Sequence, residues 1–140
     1  MAARIGVVGI GWWATINHIP TLKAHPDAEL VAICDLDGAR VEAVGEQFAI
    51  PGRYTDLQAM LAAEGLDGLV VSTPHVAHTG PTLAGLAAGA HVMVEKPMAT
   101  KAAEGRAIAE AALKAGRQVM VPTAMSFTRF TARAAEAVRA

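Results

Sequence analysis

Apolar runs of strand length alternate with amphipathic segments along the whole chain. Most of the runs are continuous stretches of valine, isoleucine, leucine and small residues, which is typical of strands buried on both faces of a sheet. The segments between them place apolar residues at helical spacing and end near glycine or proline. The predicted strands cover residues 3–9, 28–35, 53–54, 66–73, 91–95 and 117–123, and the predicted helices cover residues 12–25, 38–49, 57–65, 78–88, 101–116 and 129–140.

Six alternations of strand and helix predict an α/β fold, namely a doubly wound parallel sheet with helices on both faces and right-handed crossovers. Several helix ends carry recognisable signals. Asp56 is a predicted N-cap of the third helix and Gly65 its C-cap. Thr100 is a predicted N-cap of the fifth helix, which should end at Gly116.

Composition narrows the function classes. The chain has 140 residues, which suits one domain, and its formal charge is −1 with acids and bases scattered. Without a basic tract, neither nucleic-acid binding nor attachment to an anionic membrane is supported. The single cysteine, Cys34, falls in the second strand, which fits a reducing compartment. With no leader-like or membrane-spanning stretch, we expect a cytoplasmic protein.

A glycine-rich turn follows the first strand. Gly9, Gly11 and Ala14 form G-x-G-x-x-A between a predicted strand and a predicted helix. The first glycine allows a sharp turn, the second allows a pyrophosphate to approach the backbone, and the alanine allows close helix packing. The unpaired N–H groups of the helix start would then face the phosphates. A tight structural turn is the alternative interpretation.

An acidic residue at the end of the second strand favours the dinucleotide interpretation. Asp35 follows Ala14 by about 20 residues, where a carboxylate binds the adenosine ribose hydroxyls. A carboxylate there repels a 2′-phosphate, and Asp37 adds a second negative charge. Arg40 could pair with a 2′-phosphate, but the sequence is equally compatible with a solvated Arg40 on the next helix. The sequence therefore predicts NAD rather than NADP.

Trp12 and Trp13 begin the first helix directly after the glycine turn. One indole could pack on the core while the other covers the turn. Alternatively, one could shield the pyrophosphate or meet a substrate, and the sequence leaves both interpretations open.

Glu95, Lys96 and Pro97 end the fifth strand, on the same sheet edge as the glycine turn. A lysine there can reach the nicotinamide end of a bound dinucleotide, where its ammonium would donate to a substrate oxygen and favour an alkoxide. Glu95 could orient Lys96, and Pro97 could aim the turn. The alternative is a pair of solvated charges at a strand end.

These residues carry a resemblance to a known family. The chain resembles the N-terminal domain of the Gfo/Idh/MocA family, named after glucose–fructose oxidoreductase, inositol dehydrogenase and a rhizopine-catabolism protein. The most specific elements are Thr73 and Pro74 after the fourth strand, and His78 four residues beyond Pro74. The resemblance runs nearly end to end through the segments RIGVVGIGWWA, AELVAICDLD, VVSTPHVAH, AGAHVMVEKP and QVMV.

The resemblance implies a Rossmann domain that binds NAD or NADP, with hydride passing to or from a hydroxyl-bearing carbon of a sugar, cyclitol or related polyol. It implies that Lys96 contacts the reacting oxygen, that Thr73, Pro74 and His78 lie beside the nicotinamide ribose, and that the Lys96–Pro97 bond is cis. Packing or capping of the fourth helix is the alternative role for His78. The predicted cofactor site comprises Gly9, Gly11, Trp12, Trp13, Asp35, Thr73, Pro74, His78, Glu95 and Lys96, with Lys96 also catalytic.

The remaining histidines offer weaker signals. His75 lies on the loop with Pro74, where it could face a substrate, whereas His18, His25 and His91 fit structural or solvated positions. No ligand spacing predicts a metal site.

The resemblance also implies a longer protein of which this chain is a fragment, and a naturally short homologue is the alternative. Residues 1–122 would form the dinucleotide-binding domain, and residues 123–140, with Arg129, would begin the connection to a C-terminal substrate domain absent from this chain. The full protein would be a homo-oligomer, and this chain alone should bind cofactor with little turnover. The competing function is a non-catalytic dinucleotide-binding regulatory or sensor module.

Overall fold

Six strands form one parallel sheet in a computed structural model, which describes residues 1–123 and 128–139. The strands are β1 (Ala3–Val8), β2 (Ala28–Cys34), β3 (Gly52–Tyr54), β4 (Gly68–Val71), β5 (His91–Val94) and β6 (Val119–Met120). Their order is β3-β2-β1-β4-β5-β6, and every neighbouring pair is parallel. This is the strand order of a doubly wound dinucleotide-binding sheet, so the predicted fold class is confirmed.

Helices connect the strands as predicted. They are α1 (Ile19–Ala24), α2 (Gly38–Gln47), α3 (Leu57–Glu64), α4 (Thr79–Ala87), α5 (Ala102–Ala115) and α6 (Arg129–Arg139), with a π-helical turn at Ala14–His18 and a 3₁₀ turn at His75–Ala77. No helix among residues 1–123 and 128–139 is long and apolar enough to cross a bilayer. Residues 124–127 and 140, predicted to join and end the last elements, lie outside the described residues.

The core has two layers, one on each face of the sheet. On one face, α3, α4 and α5 bury Met60, Leu86 and Ile108 against the strands. On the other face, the first helical segment and α2 bury Ile19 and Val41. Burial on both faces explains why the central strands are almost uniformly apolar.

The first helical segment is not a uniform α-helix, contrary to the prediction for residues 12–25. The Ile19 N–H donates to the Ala14 carbonyl, five residues earlier, which makes Ala14–His18 a π-helical turn. Pro20 explains the change, because it has no N–H to donate to a preceding carbonyl and its ring crowds the preceding turn. The Thr15 hydroxyl approaches the Trp12 carbonyl at 2.9 Å, and the Asn17 amide donates to the Trp13 carbonyl at 3.2 Å.

Helix ends agree with the sequence in one helix and differ in another. The Asp56 side chain accepts from the Ala59 N–H at 2.9 Å, and Gly65 ends α3 in the left-handed conformation. Thr100 as the N-cap of α5 was wrong: Lys101 holds that position without a side-chain cap bond. Thr100 lies one residue too early for its hydroxyl to reach the first free amides.

Strand β6 is shorter than predicted. Residues 117–123 were expected to be extended, whereas only Val119 and Met120 pair with β5. An edge strand pairs with one neighbour only, so its paired length depends on that neighbour. The run of apolar residues alone therefore predicts a longer strand than the structure has.

Replacing the cap residue tests the local stability of α3. We expect Asp56→Ala to lower the free energy of unfolding by about 1 kcal/mol, because the Ala59 N–H loses its acceptor. Asp56→Ser, which keeps a capping oxygen, should lose much less. Urea denaturation followed by circular dichroism measures both, and equal losses in the two variants would contradict the capping role.

Candidate active site

The carboxyl ends of the central strands enclose a groove at one edge of the sheet. Because β1 lies between β2 and β4, the connections leave in opposite directions here, which is where open α/β sheets bind ligands. The groove has a volume of about 790 Å³. Its lining includes Gly9, Gly11, Trp12, Trp13, Cys34, Asp35, Arg40, Thr73, Pro74 and His75.

Gly9 is required by the chain itself. Its φ is +80°, and a Cβ at this position would lie 2.5 Å from the Thr73 backbone nitrogen. Its N–H donates to the Cys34 carbonyl at 2.9 Å. The glycine turn is therefore pressed between the ends of β2 and β4.

Gly11 is not required by the chain. In the described part of the chain, no atom beyond its own local backbone lies within 4 Å of where its Cβ would be, and its φ is not in the left-handed region. The missing side chain leaves free space in the groove wall immediately before the helix starts at Trp12. A bound pyrophosphate fits this arrangement, because it needs bare backbone and the free N–H groups of a helix start.

Asp35 joins the end of β2 to the glycine turn. Its Oδ2 accepts from the Ile10 N–H at 3.0 Å, and its Oδ1 accepts from the Asp37 N–H at 3.1 Å. The carboxylate lines the groove while only 14% of the side chain is exposed. It can still offer lone pairs to a ribose hydroxyl.

Arg40 faces the same end of the groove. Its guanidinium lies 3.3 Å from both Asp35 oxygens and 3.2 Å from Asp37 Oδ2. The backbone positions it, because Asp37 caps α2 by accepting from the Arg40 N–H at 3.1 Å. Sequence reasoning weighed a solvated Arg40 against a phosphate contact, and the structure instead pairs it with two carboxylates.

A second cavity of about 270 Å³ continues from the groove toward β5. Its walls include Lys96 and share Trp12, Trp13, Thr73 and His75 with the groove. Among residues 1–123 and 128–139, no side chain pairs with the Lys96 ammonium, so its donors are free. The Lys96–Pro97 peptide bond is cis, as the resemblance implied.

The sequence suggested that Glu95 could orient Lys96, but the Glu95 carboxylate contacts the Lys96 backbone and not its ammonium. Its carboxylate accepts from the Lys96 backbone N–H at 3.1 Å and from the Trp13 indole N–H at 2.8 Å. His18 Nε2 lies 2.9 Å from the same carboxylate. Only 9% of Glu95 is exposed, so these donors satisfy a nearly buried charge.

His78 is fully buried between two loops. Its Nδ1 lies 2.7 Å from the Pro97 carbonyl and its Nε2 lies 2.9 Å from the Thr73 carbonyl. The geometry fits a residue that joins the loop after β4 to the turn after β5. His75, whose ring lies beside that of His78, lines the groove.

The two tryptophans take different positions. The Trp13 ring is held by Glu95, whereas 72% of Trp12 is exposed beside the groove. Both indoles line the groove, so the interpretation that one of them faces the cofactor stays a prediction. His18, which the sequence fitted only to a structural or solvated position, is the neighbour of Glu95 that sequence reasoning missed.

Burial and neighbouring charges suppress the acidity of the one thiol. Desolvation, followed by the negative charges of Asp35 and Asp56, raises the pKa of Cys34 from 9.0 to about 11. The thiol at the groove floor is therefore protonated at neutral pH and a poor nucleophile.

The strand order, the two-glycine turn and the carboxylate at the end of β2 together define a dinucleotide-binding domain. The family "Oxidoreductase family, NAD-binding Rossmann fold" (Gfo/Idh/MocA) matches residues 3–123. The chain belongs to this family, as the sequence resemblance indicated.

Individual relatives agree with the family assignment. The chain is 35% identical to D-apiose dehydrogenase of Paraburkholderia graminis over 82% of its own length and 30% of the relative's. It is 34% identical to D-xylose 1-dehydrogenase (NADP(+)) 2 of Haloferax volcanii over 99% of its own length and 41% of the relative's. The chain thus spans well under half of the curated relatives it matches.

Among solved structures, the chain resembles the WlbA dehydrogenase of Bordetella pertussis, which was solved in complex with NADH and UDP-GlcNAcA. The two share 31% sequence identity with a TM-score of 0.89, over 99% of this chain and 42% of the other.

The two glycines should respond differently to substitution. We expect Gly9→Ala to lower the free energy of unfolding by at least about 2 kcal/mol, because an alanine there is strained and meets the Thr73 backbone. Gly11→Ala should keep the wild-type stability within about 0.5 kcal/mol while weakening NADH binding, because its methyl group enters the groove. Urea denaturation and NADH titration measure the two variants. Normal NADH affinity in Gly11→Ala would contradict a pyrophosphate site beside Gly11.

Thiol chemistry tests the burial of Cys34. With the pKa at about 11 instead of 9.0, the folded chain holds about a hundredfold less thiolate than the unfolded chain at pH 8. Disulfide-forming reagents should therefore label native protein at least about a hundredfold more slowly than protein in urea. Stability from the protonated thiol should be lost between pH 9 and 11, where the unfolded thiol ionises first, and Cys34→Ala should lack this loss. Equal labelling rates in the two states would contradict the raised pKa.

Proposed function

We propose that this chain is the cofactor-binding part of an NAD-dependent oxidoreductase. The enzyme would move hydride between nicotinamide and a hydroxyl-bearing carbon of a sugar, cyclitol or related polyol. One observation carries the proposal: the groove from Asp35 past the glycine turn continues into the cavity that holds Lys96. An extended dinucleotide would lie along this path with its adenosine end at Asp35 and its nicotinamide end at Lys96.

The path divides into three chemical parts. Asp35 would accept from the adenosine ribose hydroxyls, and the helix start beside Gly11 would receive the pyrophosphate. Thr73, Pro74 and His75 would line the nicotinamide half, with His78 holding their loop from behind. Trp12, the more exposed indole, would cover the bound phosphates.

Lys96 would act as the catalytic residue. Bound NAD supplies hydride transfer, and the ammonium would donate a hydrogen bond to the substrate oxygen as charge develops there. The open ammonium suits this role because its donors need not leave another protein group first. Glu95, occupied by three donors, would not serve as the base.

Charge at the adenosine end favours NAD over NADP. Two carboxylates, Asp35 and Asp37, would repel a 2′-phosphate, and Arg40 is already engaged by both. A 2′-phosphate would have to draw the guanidinium away from these partners. The relatives include one named for NADP and one solved with NADH, so the local carboxylates carry the distinction.

The substrate would be held mainly by other parts of a longer protein. Residues 1–122 would form the cofactor domain and residues 123–140 would begin a connection to a substrate domain and an oligomer interface. Hydride transfer needs a substrate held about 3–3.5 Å from the nicotinamide. Lys96 on an open sheet edge cannot enforce this alone, so the chain would bind cofactor with little turnover. The unpaired Cys34 supports a reducing, cytoplasmic setting.

Cofactor titration tests the proposal. Trp12 and Trp13 are the chain's two tryptophans, and both line the groove, so energy transfer to bound NADH reports occupancy directly. We expect NADH to bind at least about tenfold more tightly than NADPH, because repulsion by two carboxylates costs about 1.4 kcal/mol or more.

Asp35→Asn is the informative variant, because the amide oxygen can still accept from the Ile10 N–H while the charge is lost. It should reduce the preference for NADH over NADPH and release Arg40 from its ion pair with residue 35. Asp67→Asn, an equivalent charge loss at the opposite edge of the sheet, where the carboxylate accepts from the Arg4 N–H, is the matched control and should leave the preference unchanged. Tighter binding of NADPH by the wild-type chain would overturn the NAD assignment, and no energy transfer with either cofactor would overturn the binding site.

A further inference from the structure

Three donors converge on one nearly buried carboxylate next to the proposed catalytic lysine. We call Glu95, Trp13 and His18 the Glu95 cluster. The Trp13 indole N–H and the His18 Nε2–H both reach Glu95 Oε1, at 2.8 and 2.9 Å. The other carboxylate oxygen accepts the Lys96 N–H at 3.1 Å.

The π-helical turn is what brings His18 into this cluster. In an α-helix, residues five apart point about 140° away from each other around the axis. A π-helical turn closes its hydrogen bond over five residues, which places Trp13 and His18 on nearly the same face. An α-helical continuation would direct only one of the two toward Glu95.

The sequence around the turn supports this register. Pro20 removes one helical donor, and the side chains of Thr15 and Asn17 approach the carbonyls of Trp12 and Trp13. These polar contacts satisfy carbonyls near the wider turn. The register therefore has local causes and a defined result, which is the His18–Glu95 contact.

The contact matters for Lys96 through the backbone. No side chain in the described part of the chain pairs with the Lys96 ammonium. The position from which the lysine side chain extends is therefore set by the backbone of the turn alone. The Glu95 carboxylate holds that turn through the Lys96 N–H. Because a nearly buried carboxylate keeps its direction only while its donors are present, loss of His18 would loosen this bond.

We propose that His18 is a positioning residue for Lys96, acting through Glu95. Its catalytic meaning rests on the function proposed above. The structural role is independent of that function: His18 fixes the carboxylate, and the carboxylate fixes the first peptide of the lysine turn.

Hydrogen exchange at the Lys96 amide tests the proposal in the chain as it exists. We expect His18→Leu to speed exchange of this amide about tenfold or more relative to the Glu95 amide. The Glu95 amide is the internal control, because it donates to the Val71 carbonyl within the sheet. His18→Gln, which retains a side-chain N–H donor, should restore most of the protection.

A general stabilising role gives a different result. If His18→Leu speeds both amides equally, or leaves the Lys96 amide unchanged, the proposal is overturned. Failure of His18→Gln to restore protection also overturns it. If His18→Leu does not fold, His18→Asn is compared with His18→Gln, because the shorter amide cannot reach Glu95 and should give the same selective loss.

The outcome separates this inference from the proposed function. The exchange measurement uses the chain without cofactor. Absence of NADH binding by the wild-type chain would therefore contradict the proposed function and leave the exchange result standing. Normal NADH binding with unaltered Lys96 exchange in His18→Leu would contradict only the positioning role.

Discussion

The close passage of Gly9 against the backbone of Ser72 and Thr73 is the contact on which the site depends. A side chain at Gly9 would separate the connection after β1 from the connection after β4. The same turn is held on its other side by hydrogen bonds to the Cys34 carbonyl and the Asp35 carboxylate. Because Gly9 has no side chain, the ends of β1, β2 and β4 can lie close together, and the groove lies above them. The adjoining Gly11 then serves the ligand rather than the chain.

Charge is arranged along this groove with a clear polarity. Acidic side chains paired with Arg40 lie at one end, an open ammonium lies at the other, and two indoles lie between them. The network behind the lysine end is almost entirely satisfied: Glu95 has three donors, and His78 bridges two backbone carbonyls. Rigid support behind a free functional group is the arrangement that keeps a reacting geometry without occupying its donors.

Much of the architecture could be predicted from sequence because it follows from local rules. Continuous apolar strands separated by helices define a parallel doubly wound sheet, and Asp56 and Gly65 mark the ends of α3. The meeting of Asp35 with the glycine turn follows from the topology, since parallel strands end at one edge. The glycine turn and Asp35 line one cavity and Lys96 lines the adjoining one, at the sheet edge where the sequence placed the glycine turn and the lysine. Errors arose where one residue decides the outcome, as with Thr100 and the short β6. His18 could not be found by helical spacing, because its contact needs a π-helical register.

The most direct test of the single continuous site is a titration of the 15N-labelled chain with NADH. We expect the backbone amides of Gly11, Asp35, Thr73 and Lys96 to shift together along one binding isotherm, while amides at the opposite edge, such as that of Arg4, stay in place. Shifts confined to one end of the groove, or separate isotherms for Asp35 and Lys96, would contradict a shared cofactor path.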